Sequence, residues 1–298
     1  VMRKIIIVLL FFLLTGLFLF WYVFFSLKAQ EMSQQEIISS YEYQPDNRNL
    51  QLTEISYRTF QFSYTSFDGD TVNGQISYPR KERESYPVLI GLAAMGRSYL
   101  RWWTDSVDGR PTVTNVNKIT ELADATGYVV VAIDARYHGT RKDPDHPLSA
   151  IMNDLRYFGD RTDYQAMIRN TVLDHRVLLD WIERQDNLDI NRITIAGYSM
   201  GGQISLLLGS LDERISTVIA IVPPWVDDKI AIVAPKNLVS LLHDKPVLLI
   251  TASRDEEASG SENEQLFEMI SSSQKQRHDI AGSHILPVEY VDLLADWL

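Results

Sequence analysis

The 298-residue chain contains no cysteine. That excludes a disulfide framework, a thiolate metal site and a lipid-modified cysteine anchor. An oxidising compartment is allowed but not indicated. The chain carries no Asn-x-Ser/Thr acceptor, which counts against a glycosylated secreted protein. Internal repeats and low-complexity tracts are also missing. Positive charge is in deficit, with 28 Lys and Arg against 39 Asp and Glu and a formal net charge of −11. This argues against nucleic acid, and against anionic lipid headgroups, as partners. There is no spaced His/Asp/Glu cluster that suggests a metal site and no phosphate-cradling glycine loop, so no metal or cofactor is implied.

Charge is absent altogether from Ile5 to Leu27, a run of 23 residues. As a helix it is long enough to span a hydrocarbon core of about 30 Å. Arg3 and Lys4 precede it, and Trp21 and Tyr22 lie near its far end, where interfacial aromatics concentrate. A signal peptide would have an apolar region of roughly 7–15 residues ending in small residues. Here the run is longer, and Ser26-Leu27-Lys28-Ala29 makes a poor cleavage site. The expectation is a cytoplasmic tip and single transmembrane signal-anchor over residues 1–27. A polar stalk over 28–50 and one folded domain over 51–298 would follow it. Positive-inside reasoning puts that domain outside the cytoplasm, in a periplasm or beyond. The reverse orientation stays open, because Lys28 weakens the charge asymmetry.

Beyond residue 50 the hydrophobic pattern alternates between strand and helix. Tyr57–Tyr64 and Thr71–Tyr78 flank an Asp68-Gly69 turn, a hairpin signal. Tyr128–Asp134 is a near-continuous apolar run, as in a strand covered on both faces. Ile168, Val172, Leu179 and Ile182 mark one face of a long helix that precedes a strand at Asn191–Ala196. Ile204, Leu207 and Leu208 mark the next helix, and Thr217–Val222 the next strand. Such alternation implies an α/β fold with a mostly parallel sheet and helices on both faces.

Within that alternation, Gly197-Tyr198-Ser199-Met200-Gly201-Gly202 follows the apolar run Ile193–Ala196. This is a G-x-S-x-G segment between a buried strand and a helix. A serine hydroxyl is a weak nucleophile until a base takes its proton, so it must project from a tight turn toward a histidine. Small residues either side leave room for that turn. Downstream, the apolar run Lys245–Thr251 leads into the polar loop Ala252-Ser253-Arg254-Asp255-Glu256-Glu257. A short strand pattern, Lys275–Asp279, then leads into Ile280-Ala281-Gly282-Ser283-His284. Asp255 is preferred over Glu256 and Glu257, which read as solvated charges. His284 is preferred over His278, which lies inside the strand.

The order Ser199, Asp255, His284 resembles that of the α/β-hydrolases. The pattern is similar to the dienelactone-hydrolase, acetyl-esterase and prolyl-oligopeptidase-like branches over roughly residues 55–298. The resemblance implies an α/β-hydrolase fold and a serine hydrolase in which Ser199 attacks a carbonyl, His284 carries the proton and Asp255 orients His284. It also implies oxyanion donors from the amides of Met95 and Met200, although Ala93-Ala94-Met95-Gly96 departs from the family's His-Gly-x-Gly. Arg136-Tyr137-His138-Gly139 resembles the family's Asp-x-Arg-x-x-Gly loop. Asp134, Arg136 and His138 read as loop-fixing residues, and His138 is also a pocket candidate.

Trp102 and Trp103, in the long stretch Ser98–Lys118, are candidates for an aromatic wall over the substrate. Capping a helix or packing against the sheet edge is the alternative. Only about 22 residues separate Val222 from Lys245, so no large lid is expected. The resulting expectation is a membrane-anchored carboxylic-ester hydrolase acting on short acyl esters as small-molecule substrates. Two alternatives remain: a serine peptidase of prolyl-oligopeptidase-like type, and an anchored binding protein on a degenerate hydrolase.

Overall fold

The computed structural model describes residues 2–45 and 50–298. The first residue of the expected tip and residues 46–49 of the expected stalk lie outside the described residues. Helix α1 (Met2–Phe24) stands apart from the domain, its side chains from Ile5 onward largely exposed. Within it, Lys4–Phe24 is long and apolar enough to cross a membrane, with a mean hydropathy of 2.7. Where α1 ends, Trp21 Nε1 donates to the Tyr157 carbonyl at 2.7 Å, and Phe25 meets Phe158 edge-on at 6.3 Å between centroids.

The polar segment after α1 is not a free stalk in its described part. Ser33 caps the short helix α2 (Gln34–Ser39) in a reciprocal bond pair with Glu36. One turn of helix then delivers Ile37 and Tyr41 into the core, where both are fully buried. The Gln30 side chain accepts from Ala231 N–H at 3.0 Å and from Gln165 Nε2 at 2.6 Å. The Tyr41 hydroxyl donates to the Ile232 carbonyl at 3.0 Å, and Arg176 holds the Tyr41 carbonyl at 2.8 Å. Composition misled here, because two apolar residues spaced four apart count for more than the polar residues around them. Residues 28–43 strap the segment around Ala231 and Ile232 onto the domain.

The main sheet takes strands β1 (Gln51–Ser56), β2 (Thr59–Thr65), β3 (Thr71–Ser77), β4 (Tyr86–Leu92), β7 (Val129–Ile133), β8 (Leu188–Tyr198), β9 (Thr217–Ile221), β10 (Val247–Ala252) and β11 (Lys275–Ile280). Their order is β1-β2-β3-β7-β4-β8-β9-β10-β11. The first three are antiparallel, and everything from β7 to β11 is parallel. A two-residue ribbon, β5 (Ser106–Val107) with β6 (Arg110–Pro111), lies outside that sheet. The fold is α/β, of the α/β-hydrolase kind.

Burial follows from this layering. Strands β4, β7 and β10 are buried at every position, because helices cover both faces of the parallel part. Helix α5 (Thr162–Ile182) and helix α6 (Met200–Leu211) pack in the core layer that holds Val88, Ile195 and Leu207. Helix α3 (Val116–Thr126) packs in the opposite layer with Leu89, Trp102 and Ile219. Of two further helices, α7 (Gly260–Met269) lies against β10 and α4 (Leu148–Asn153) against α5. The predicted strands and long helices all form, with ends shifted by a few residues. Between β9 and β10 the chain runs as three short 3₁₀ turns that bury Val233, Leu238 and Val239. It forms no inserted lid.

The strap makes a prediction about truncation. A chain starting at Ala29 is expected to fold and stay in solution without detergent. A chain starting at Gln44 loses Ile37 and Tyr41, each contributing about 1.5–3 kcal/mol of apolar burial. Its thermal midpoint should fall by roughly 10 °C relative to the Ala29 chain. Circular dichroism melts of the two truncated chains measure the difference, and equal midpoints would mean the strap contributes no stability.

Candidate active site

The parallel strands end nearly in line at their carboxyl edge. Tyr198 pairs with Ile221, Ile221 with Ile250, and Ala252 with Ile280. Ser199, Asp255 and His284 come immediately beyond these ends, so three residues far apart in sequence emerge along one rim. This is the rim at which open α/β sheets bind ligands.

Ser199 occupies the turn between β8 and α6 at φ 57°, ψ −119°. A non-glycine residue there is strained, by about 1–3 kcal/mol. Packing holds the turn closed. A Cβ on Gly197 would stand 2.1 Å from the Gly201 carbonyl oxygen, and one on Gly201 would stand 2.3 Å from that of Leu92. The Ser199 amide donates to the Ile221 carbonyl at 2.8 Å. Val222, the next residue on β9's side, has φ 41°, which is rare for a β-branched residue. The strain is therefore concentrated where the serine is presented.

Past their last paired residues, β10 and β11 keep contact. Ser253 N–H donates to the Ile280 carbonyl and Arg254 N–H to the Gly282 carbonyl, both at 2.9 Å. These bonds set the acid loop beside the histidine loop. His284 Nδ1 then lies 2.8 Å from Asp255 Oδ1, and His284 Nε2 lies 2.8 Å from Ser199 Oγ. With the proton on Nδ1 donated to the carboxylate, Nε2 accepts from the serine hydroxyl. Asp255 Oδ1 also accepts from Glu257 N–H at 2.9 Å. The Asp255 side chain is 1% exposed, and His284 keeps 18% of its surface at the opening. Glu256 has its own part, its carboxylate accepting from the His284 backbone N–H at 3.2 Å. His278 sits in β11 opposite Ile250, inside the strand.

Tyr198 holds the histidine loop from beneath. Its hydroxyl donates to the His284 carbonyl at 2.7 Å and accepts from Leu286 N–H at 2.8 Å. The ring meets the His284 imidazole edge-on at 6.1 Å. Burial pushes the phenol up to about 12, so it remains a donor throughout the neutral range. Sequence reasoning passed over Tyr198 as the variable residue of the G-x-S-x-G segment. Its role depends on a contact 86 residues away.

Met200 is the first residue of α6, where amides lack an intrahelical acceptor. Ser199 Oγ caps none of them and faces His284 instead. The Met95 amide has no hydrogen-bond acceptor among the described residues. Its loop adjoins α6 through the contacts of Gly201 with Leu92 and Ala93. Both amides thus lie at the β4–α6 junction, and the helix end there favours negative charge.

The expected aromatic wall does not form. Trp102 is fully buried beneath β4, where a Cβ on Gly91 would stand 2.4 Å from its ring. Trp103 is half-buried, donates from Nε1 to Ser77 Oγ at 2.9 Å, and meets Tyr99 edge-on. Both rings serve packing, because a large apolar ring over a glycine in a central strand fills the inter-layer space better than it covers an opening. His138 is also fully buried, donating from Nδ1 to the Arg136 carbonyl at 2.6 Å, and burial pushes its pKa down. Asp134 accepts from Tyr99 N–H, Thr140 N–H and Thr140 Oγ1 at 3.0, 2.8 and 3.0 Å. Arg136 bridges Asp174 and Asp68. These residues build loops and leave no surface for a ligand at His138.

Residues 22–234 match the family model of acetyl xylan esterase (AXE1). The chain belongs to that family and is a serine carboxylesterase-type hydrolase of α/β-hydrolase fold. The match takes in the strap and Ser199 and stops before Asp255 and His284. No curated protein matches. Among solved structures, acetyl xylan esterase 1 from a Thermoanaerobacterium species is 17% identical, with a TM-score of 0.68 over 90% of this chain and 94% of that one. An acetyl xylan esterase from a Paenibacillus species is 15% identical, with a TM-score of 0.66 over 89% and 92%. A putative dienelactone hydrolase from Klebsiella pneumoniae is 14% identical, with a TM-score of 0.58 over 80% and 90%. At these identities the structural likeness speaks to the fold.

Tyr198→Phe is expected to loosen the His284 loop and to leave the buried Leu286 N–H unpaired, a loss of about 1–3 kcal/mol. Turnover should fall about tenfold with little change in KM, and the thermal midpoint should drop by several degrees. Steady-state kinetics on an acetyl ester together with a thermal melt check this. Unchanged turnover would mean that the hydroxyl is not needed to place His284.

Proposed function

We propose that this member of the acetyl xylan esterase family is a membrane-anchored hydrolase of short acyl esters working through Ser199, His284 and Asp255. The observation that carries the reading is the unbroken hydrogen-bonded series from Ser199 Oγ through His284 to a buried Asp255, with 2.8 Å at both links. Ser199 Oγ attacks the ester carbonyl while its proton passes to His284 Nε2. Asp255 holds the imidazole in the Nδ1–H tautomer and stabilises the imidazolium. The amides of Met95 and Met200 receive the developing oxyanion, where fixed donors contribute most. His284 then protonates the leaving alcohol, and water repeats the sequence on the acyl-enzyme. Acetyl esters of a saccharide or similar alcohol are the substrates the family and its solved relatives favour.

Anchoring rests on α1, whose exposed apolar surface belongs in a bilayer. The contacts of Trp21 with Tyr157 and of Phe25 with Phe158 would set the domain at the interface, where aromatic rings are favoured. In this reading residues 2–27 anchor, 28–43 strap and 51–298 carry the hydrolase fold, with the domain outside the cytoplasm.

Ser199→Ala should abolish ester hydrolysis and labelling by a fluorophosphonate probe while leaving the melt unchanged. A wild-type protein that resists the probe, or a variant that still labels, contradicts the assignment. Chain length gives a separate check. Each methylene kept from water contributes about 0.8 kcal/mol, so a long sheltered acyl channel would show a steady gain with length. With only short 3₁₀ turns between β9 and β10, kcat/KM for p-nitrophenyl esters is expected to peak at acetyl to butyryl and decline by octanoyl. A rise through C8 to C12 would contradict this.

A further inference from the structure

The loop that carries Met95 has a second face. On one side its start abuts α6 through Leu92 and Ala93. On the other, Gly96, Arg97 and Ser98 line a cleft of about 400 Å3, shared with the β5–β6 ribbon and the loop after β7. That volume lies within the roughly 300–1,000 Å3 of small-molecule sites. Four cations line it: Arg97, Arg101, Arg110 and Lys142. The single carboxylate among its lining residues is Asp108.

None of the four cations forms an ion pair among the described residues. Arg101 is buried and committed to the fold, donating to the Arg110 and Pro111 carbonyls and to Thr112 Oγ1. Burial and the neighbouring Arg97 and Arg110 push its pKa down, the direction expected where positive charges crowd. At two other places a buried carboxylate engages two arginines, Asp174 with Arg136 and Arg141, and Asp212 with Arg176 and Arg214. Four cations thus gather around one concavity on the far side of the Met95 loop, and only Asp108 offsets them there, so positive potential collects where an anion could enter.

We propose that this cleft binds an anionic oxygen group, a carboxylate or a phosphate, carried on the alcohol part of an ester whose carbonyl reaches Ser199. The inference rests on the esterase reading of Ser199. With a short acyl group the charge can only lie on the alcohol side. Arg97 and Lys142 make the direct contacts, since neither side chain is engaged in a hydrogen bond among the described residues. Arg101 supplies fixed positive potential behind them. The substrate class is thus a short-acyl ester of an acidic alcohol, such as a hydroxy acid, a uronate or a sugar phosphate.

The test uses full-length protein in non-ionic detergent and its Arg97→Gln/Lys142→Gln double variant. Each is assayed on methyl 4-acetoxybenzoate, on 4-acetoxybenzoate and on 4-acetoxyphenyl phosphate. Comparing the two proteins substrate by substrate cancels differences between leaving groups. The double variant should lose roughly three- to tenfold more kcat/KM on an anionic ester than on the neutral one, the scale of one or two half-exposed charge pairs. The loss should shrink in about 0.5 M salt. Whether the carboxylate or the phosphate ester shows the larger loss identifies the favoured group. Equal losses on all three esters overturn the proposal. Calorimetric binding of 4-hydroxybenzoate and of inorganic phosphate to Ser199→Ala protein separates the two claims. If no ester is cleaved, the esterase reading fails. Binding that the Arg97→Gln/Lys142→Gln changes weaken still supports the cleft, and binding that is absent or insensitive to them overturns it.

Discussion

The in-line ending of β8, β9, β10 and β11 is the constraint on which the site depends. A parallel ladder fixes register through evenly spaced bonds, and a slip of one residue would turn every side chain to the other face of the sheet. Because β8 to β10 are buried on both faces by apolar residues, such a slip is costly. The ladder continues past β10 and β11 through Ser253 and Arg254, so the acid and histidine loops start from fixed points. Tyr198, in the last position of β8, ties the histidine loop back to the serine's own strand. Strain at Ser199 and Val222 is tolerated because the packing around it leaves no room to relax.

The amino-terminal segment couples α1 and the domain more closely than its composition suggests. The strap of residues 28–43 and the 3₁₀ turns after β9 bury one another, through Ile37, Tyr41 and Val233. Neither would be stable alone: a six-residue helix is far below the length at which an isolated helix persists. Held this way, α1 has little slack relative to the domain. The end of α1 is in contact with Tyr157 and Phe158.

Polar groups divide between those that hold the fold and those that face the site. Asp174 is fully buried and meets Arg136 and Arg141 at 2.7 Å. Removing one partner of such a group costs about 3–5 kcal/mol. That network, with Asp134, absorbs the charged residues of the Asp-x-Arg-x-x-Gly-like loop into architecture. The cations of the cleft beside Gly96 have no such partners among the described residues, and what distinguishes them is their convergence on one concavity.

Much of the fold was legible in sequence because it rests on local signals. Runs such as Tyr128–Ile133 declare strands buried on both faces, and Gly197–Gly202 declares a turn that only small flanking residues permit. The order of serine, acid and histidine could be read because each follows directly on a recognisable strand. Residues whose meaning lies across the chain could not be read this way. Trp102 has the same chemistry over a pocket or under Gly91, and only the stacking of layers placed it under Gly91. Ile37 and Tyr41 looked incidental in a polar stretch until α5 and the β9 loop offered that stretch a seat. Arg97, Arg110 and Lys142 are unremarkable in a chain of net charge −11, and their convergence exists only where separate loops meet. Periodicity and turn chemistry depend on neighbours along the chain, so the sequence by itself determined the elements, their order and the chemical types at the strand ends. Packing and charge depend on neighbours in space, so only the tertiary structure decided which side chains face the site, which are buried, and where unpaired charge collects.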